Sequence, residues 1–178
     1  MGTMIALLRG INVGGKVLKM ELARASFEAI GLTEVRTYVQ SGNIIFSSKS
    51  SAASLAKKIE TQLLKDSGLK VSVILKTPSD LVKSIRVNPF LLERGIDLKT
   101  LHVTFLSATP VKGALARLSA IKSGEDRYQH LGTEIYVHCP NGYGRTKLTN
   151  NAIEQALDLV ATTRNWNTVN KLHEMAAQ

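Results

Sequence analysis

The order of apolar and polar positions along the chain switches between two periods, and each switch marks the edge of a predicted element. Met4 to Arg9 is an apolar run that reads as a strand, after which Met20, Ala23, Phe27 and Ile30 recur at helical spacing until Gly31 stops them. Alternation returns in Val35, Thr37 and Val39 and again in Ile44 and Phe46, on either side of Ser41-Gly42, a compact hairpin signal. From Ser54 onward, Leu55, Ile59 and Leu63 line one helical face closed by Gly68, and Val71, Val73 and Leu75 alternate as a strand. The order β-α-β-β-α-β predicts a ferredoxin-like plait over residues 1–76, with two helices on one face of an antiparallel sheet.

Thr77-Pro78 opens a short helix carrying Leu81 and Ile85, because proline suits the first helical position and threonine caps the amides behind it. Asn88-Pro89 ends it, so residues 77–99 read as a helical connector. The earlier order then returns over residues 100–178: strand Leu101 to Leu106, helix Val111 to Ile121, strands Arg127 to Leu131 and Glu134 to Cys139, and helix Asn151 to Val160. A last helix from about Asn165 stands where a fourth strand belongs. The expected fold class is therefore α+β, two ferredoxin-like plait subdomains with antiparallel sheets, the second incomplete and ending in a helix. No low-complexity tract or residue-level repeat accompanies it.

Composition narrows the function classes. With 44% hydrophobic and 21% charged residues, the 178-residue chain has ordinary globular proportions. No apolar run approaches the roughly 18 residues that span a bilayer, and the first residues lack a signal-peptide pattern, so a cytoplasmic protein without a membrane partner is expected. Cys139 is the single cysteine; it excludes an internal disulfide and does not nominate a metal cluster. The net charge of +9 and pI of 9.8 point to an anionic partner, a phosphate-bearing small molecule or nucleic acid. Residues 1–76 hold 11 Lys and Arg against 5 Asp and Glu, so the excess is concentrated in the first half.

The first candidate chemistry is LLRGINVGGKV, residues 7–17, in which Gly10 to Lys16 has the GxxxxGK spacing of a phosphate-cradling loop. A Walker loop next requires a Ser or Thr hydroxyl for Mg²⁺, and Val17 stands there. Neither LHVTFLS nor VSVILK ends in the acid that would hold the metal. A P-loop NTPase is therefore not expected, and glycines that let the chain turn sharply are the simpler account. A metal-free anion cradle built from Arg9, Asn12, Gly14, Gly15 and Lys16 is the alternative. On the expectation that the first and third strands end at one edge, this loop should lie near Ser47 to Ser50, and the Ser41-Gly42 hairpin tip at the opposite edge.

Four segments, RGINVGG, VRTYVQSGNIIF, GYGRTKLTN and ATTRNWNTVNKL, together resemble the bacterial family known as domain of unknown function 1697. The resemblance runs over nearly the whole chain. It implies a pair of ferredoxin-like subdomains and no established activity; its characteristic positions include Arg9, Asn12, Gln40 to Asn43, Lys147 and Arg164 to Thr168.

Other candidates weigh less. Sequence-specific RNA-binding plaits carry aromatics on both central strands, whereas MIALLR and NIIFSS offer only Phe46, pointing to the helices. Apolar residues on both faces of MIALL instead predict a covered sheet. His130 shares an apolar face with Tyr128, Ile135 and Val137 and is expected to be a buried imidazole. The polar loop Asn141 to Asn150 brings Arg145 and Lys147 to a helix N-terminus, and Arg164-Asn165 are expected at another, both suited to anions. Trp166, Val169 and Ala176 share a helical face and read as core.

The resulting expectation is a binding protein for an anionic, phosphate-bearing ligand or nucleic acid, through Arg9, Asn12, Gly14, Gly15, Lys16, Arg145, Lys147, Arg164 and Asn165, with no metal or other cofactor. An enzyme acting on a small anionic substrate between the subdomains, or a homo-oligomeric interaction protein, are the alternatives.

Overall fold

A computed structural model describes residues 2–12, 15 and 17–178. The chain divides into two units, Met1–Val82 with Lys171–Gln178, and Lys83–Asn170, so that both divisions fall inside helices. In the first unit β1 (Gly2–Arg9), α1 (Met20–Ala29), β2 (Thr33–Tyr38), β3 (Asn43–Ser48), α2 (Ala52–Ser67) and β4 (Ser72–Lys76) form an antiparallel sheet of order β2-β3-β1-β4. After α3 (Pro78–Arg86), the second unit runs β5 (Leu101–Leu106), α4 (Lys112–Ser119), β6 (Arg127–Leu131), β7 (Glu134–His138), α5 (Asn150–Leu157) and β8 (Ala161–Asn165), in the order β6-β7-β5-β8. The final α6 is Trp166–Ala176. No helix among the described residues is long and apolar enough to cross a membrane.

The second plait is thus complete, which corrects the incomplete one expected. Its fourth strand, β8, reads ATTRN and pairs with β5 through Val103↔Arg164 and Leu106↔Ala161. Alternating large apolar residues are absent from it because its buried positions are filled by Ala161, Thr162 and Arg164. Polar groups survive there by bonding: the Thr104 and Thr163 hydroxyls are 2.7 Å apart, and Thr163 Oγ1 donates to Asn150 Oδ1 at 2.7 Å.

Each helical layer covers one sheet face with the residues whose spacing predicted it. Ala23, Phe27, Leu55, Ile59 and Leu63 pack with Ala6, Leu8, Ile44 and Phe46. The Phe27 and Phe46 rings meet edge to face at 5.3 Å, a geometry worth about 1 kcal/mol beyond the area it buries. In the second unit Ala114, Leu118, Ile153 and Leu157 cover Leu106, Ile135 and Val137. Ile5, Leu7 and Ile45 on the other face of the first sheet are also buried, as are Val103, Phe105 and Tyr136 in the second. Neither sheet presents an open stacking platform.

One edge relation differs from expectation. Because β1 and β3 are antiparallel, with Gly2 opposite Ser48 and Leu7 opposite Asn43, the end of β1 meets the start of β3. The loop after Arg9 therefore lies beside the Ser41-Gly42 hairpin tip and far from Ser47 to Ser50. Leu8 N donates to Gly42 O at 2.8 Å. Asn12, at φ +54°, exchanges bonds with Leu18 (Nδ2 to O at 3.2 Å, N to Oδ1 at 2.9 Å) and also donates through Nδ2 to Gln40 O. Asn43 clasps the hairpin from within, donating to Tyr38 O and Ser41 Oγ. Between these two asparagines Val39 is held at φ +50°, where a β-branched residue is strained by about 1–2 kcal/mol.

Gly42 shows how closely the two turns are packed. A Cβ there would stand 2.6 Å from Ile11 Cδ1 and 2.8 Å from Leu8 Cβ, at φ +76°. Gly31 also has a positive φ, +82°, but open space around it. Gly42→Ala is therefore expected to destabilise the protein by about 2–4 kcal/mol and Gly31→Ala by about 1 kcal/mol. Urea denaturation checks this, and equal losses would contradict the packing account.

Candidate functional site

In an antiparallel plait the hairpin tip occupies one sheet edge, and the connections entering and leaving the hairpin occupy the other. In the first unit those entering and leaving connections are short, residues 30–32 and 49–51; in the second they are residues 120–126 and 139–149. Longer loops on a repeated scaffold are where added function is sought.

These two loops line a cleft of ≈ 370 Å³ with Lys122, Ser123, Gly124, Glu125, Asp126, Asn141, Arg145 and Lys147. Its frame is set by turns and anchors. Gly124 and Gly142 have φ of +66° and +87°, Asp126 N donates to Ser123 O, and Gly142 N donates to Cys139 O. Asn141 Nδ2 donates to Glu125 Oε2 at 2.6 Å, tying one loop to the other. From Arg145 to Leu148 the chain alternates outward and inward: Arg145 and Lys147 are exposed, Thr146 and Leu148 buried. Thr146 Oγ1 accepts from Leu148 N at 3.0 Å and its side chain bonds Cys139, whose thiol is pushed up to about 11 by burial. This thiol is a packing group rather than a nucleophile.

Beneath the loop, Tyr143 stacks on His102 with ring centroids 4.7 Å apart. His102 Nδ1 is 3.2 Å from the Thr100 carbonyl, which only accepts, so Nδ1 carries the proton. Burial holds this imidazole below its ordinary pKa, against a smaller opposing effect of that bond.

The side chains of Lys122, Arg145 and Lys147 make no hydrogen bond or ion pair among the described residues, although two carboxylates share their cleft. Elsewhere in the unit the pattern is the reverse. A cleft of ≈ 400 Å³ beside Glu93, Arg127 and His138 has its guanidinium already satisfied: Arg127 donates to both Glu93 oxygens at 3.0 and 2.7 Å, lies over the Phe90 ring and donates to His138 Nδ1 at 3.2 Å. His138 is held neutral-leaning by burial first and by Arg127 second. Among the described residues no group of three or more His, Cys, Asp or Glu side chains is placed to hold a metal ion.

The sequence candidates therefore separate. Arg145 and Lys147 come together, joined by Lys122, which the pattern analysis missed because it sits in another loop. Arg9, Asn12 and Gly15 belong to the first unit's turn pair, where the Asn12 side chain holds the two loops together. Gly14 and Lys16 lie outside the described residues. Arg164 is not at a helix N-terminus: it is buried in β8, donating to Thr162 Oγ1 at 2.7 Å and Thr163 O at 2.9 Å. Asn165 caps α6, its Oδ1 accepting from Thr168 N at 2.7 Å. Trp166 is buried, and His130, half-buried, bonds its own turn at Gly132 O.

The family described as protein of unknown function (DUF1697) matches residues 1–136. The chain belongs to this family. The match takes in residues 1–82 of the first unit and the second unit as far as Tyr136 in β7, including Lys122 to Asp126, and ends before Asn141 to Lys147 and before the first unit's Lys171–Gln178. The conserved bacterial protein SP0830 from Streptococcus pneumoniae shares the fold of this DUF1697 chain, with a TM-score of 0.76 at 24% identity, over 100% of this chain and 99% of that one. No curated protein matches it.

A depressed imidazole pKa makes stability depend on pH with a definite sign. The fold keeps His102 and His138 neutral, while the unfolded chain protonates them near the ordinary value of about 6.5. Their contribution is complete above that value and is lost as pH falls through it toward the folded pKa. The urea midpoint is expected to be lower at pH 5.5 than at pH 7.5, with part of the difference removed by His102→Phe, which keeps an aromatic ring against Tyr143. A midpoint unchanged between the two pH values would contradict the assignment.

Proposed function

We propose that this protein binds a small phosphate-bearing ligand in the cleft formed by residues 122–126 and 141–147 of its second unit. The observation that carries the reading is the set of three cations, Lys122, Arg145 and Lys147, sharing one cleft without an ion-pair partner among the described residues. Three cations beside two carboxylates leave the cleft lining net positive, and a phosphate accepts several charge-assisted hydrogen bonds at once. A volume of ≈ 370 Å³ belongs to the lower part of the range of small-molecule sites, about 300–1,000 Å³, which supports a metabolite over a polymer. The buried sheet faces support the same choice, since they offer no stacking surface to single-stranded nucleic acid. The single buried Cys139 suits a reducing, cytoplasmic setting.

Titration with inorganic phosphate and simple phosphate esters, followed by ³¹P NMR or thermal shift, tests the proposal. Arg145→Ala and Lys147→Ala are each expected to weaken binding about three- to tenfold with little change in stability, because both side chains are exposed. Arg164→Ala is expected to do the opposite, lowering stability by about 2–4 kcal/mol by stranding buried hydrogen-bond partners. Binding of RNA or DNA with a steep salt dependence, and no phosphate-ester binding, would replace the small-ligand reading with a nucleic-acid one.

A further inference from the structure

The cleft contains more than cations, and its acidic side restricts what the ligand can be. Glu125 is occupied by Asn141 Nδ2, but the Asp126 carboxylate makes no hydrogen bond or ion pair among the described residues. Its backbone alone is engaged, through Asp126 N to Ser123 O and Ser123 Oγ to Asp126 O. The loop is thereby fixed while the carboxylate stays available. It is half-buried at the cleft wall, and its charge is felt by His138 and Cys139 on the neighbouring strand end.

The cleft lining thus holds an unbonded carboxylate as well as three cations that do not pair with it, so it offers groups for both signs of charge. A bare phosphate dianion satisfies the cations and leaves Asp126 facing a like charge. We propose that the ligand is a phosphate monoester carrying a primary amine, the phosphate held by Lys122, Arg145 and Lys147 and the ammonium by Asp126. The charges then match: the lining residues sum to one positive charge, and such a ligand carries two negative charges and one positive at neutral pH. The inference rests on the proposed phosphate site and adds the second pole of the ligand. A phosphodiester, which also carries one negative charge, leaves Asp126 without a partner and is the competing chemistry that the experiment separates.

The test compares 2-aminoethyl phosphate with ethyl phosphate, which differ by the amine, and with dimethyl phosphate, by calorimetric titration of the full-length protein at pH 7 and low salt. The amine-bearing ester is expected to bind about three- to fivefold more tightly than ethyl phosphate, the range of an exposed charge pair. Asp126→Asn is expected to remove that difference while leaving ethyl phosphate binding equal or tighter. Equal affinity of the two monoesters for the wild-type protein, or tightest binding by dimethyl phosphate, would overturn the amine assignment and leave the phosphate site standing. No binding of any ester, or binding insensitive to both Arg145→Ala and Lys147→Ala, would overturn the site itself. The wild-type comparison decides the point even if Asp126→Asn does not fold.

Discussion

Antiparallel pairing between the central strands is the constraint on which the rest of the molecule depends. Once β1 runs against β3, and β5 against β7, every loop of each unit is assigned to one of two sheet edges. Both units close the hairpin edge in the same way, the last residue of the central strand or its neighbour donating to the hairpin turn: Leu8 N to Gly42 O at 2.8 Å and Leu106 N to Thr133 O at 2.9 Å. The other edge is left for the connections that enter and leave the hairpin. In the second unit these are longer than in the first, and they line a cleft.

The two edges serve different ends. At the hairpin edge of the first unit, positive-φ positions, Asn12 and Asn43 are used up in holding one turn against another, and Val39 pays no visible return in ligand groups. The glycine loop that resembles a phosphate cradle by spacing is, in its described part, a scaffold: its asparagine bonds backbone carbonyls, and its neighbour Ile11 fills the space a Gly42 side chain would need. In the second unit the anchoring groups point inward, Thr146, Leu148 and Tyr143, and the charged ones remain outside. Exposed charge without a partner distinguishes that cleft from the Glu93 and Arg127 cleft beside it, where the protein supplies its own counterion.

Much of the fold was legible because its core obeys simple periods. Phe27 and Ile59 at helical spacing, Ile44 and Phe46 in alternation, and Gly31 and Gly68 as stops all lie where pattern placed them. The fourth strand of the second unit was not legible, since ATTRN buries alanine, threonine and a bonded arginine in place of the apolar residues that alternation detects. The neighbourhood of the glycine loop differs from expectation for a different reason: antiparallel pairing brings the end of β1 to the start of β3, so the loop meets the hairpin tip and not Ser47 to Ser50. Of the site, Arg145 and Lys147 were visible as two cations in one polar loop. Lys122 and Asp126 were invisible, because only the β6–β7 pairing of Arg127 with His138 brings their loop alongside.

The central claim is that the cations of the second unit are held apart from their own carboxylates in order to receive an anion. A crystal structure of the protein grown with millimolar phosphate, and refined with the anion located without bias, addresses it most directly. The account predicts a phosphate within hydrogen-bond distance of Arg145 and of Lys147 or Lys122. An empty cleft with phosphate ordered at the Arg9 to Lys19 turn, or Arg145 and Lys147 folded onto Glu125 and Asp126 as closed ion pairs, would contradict it.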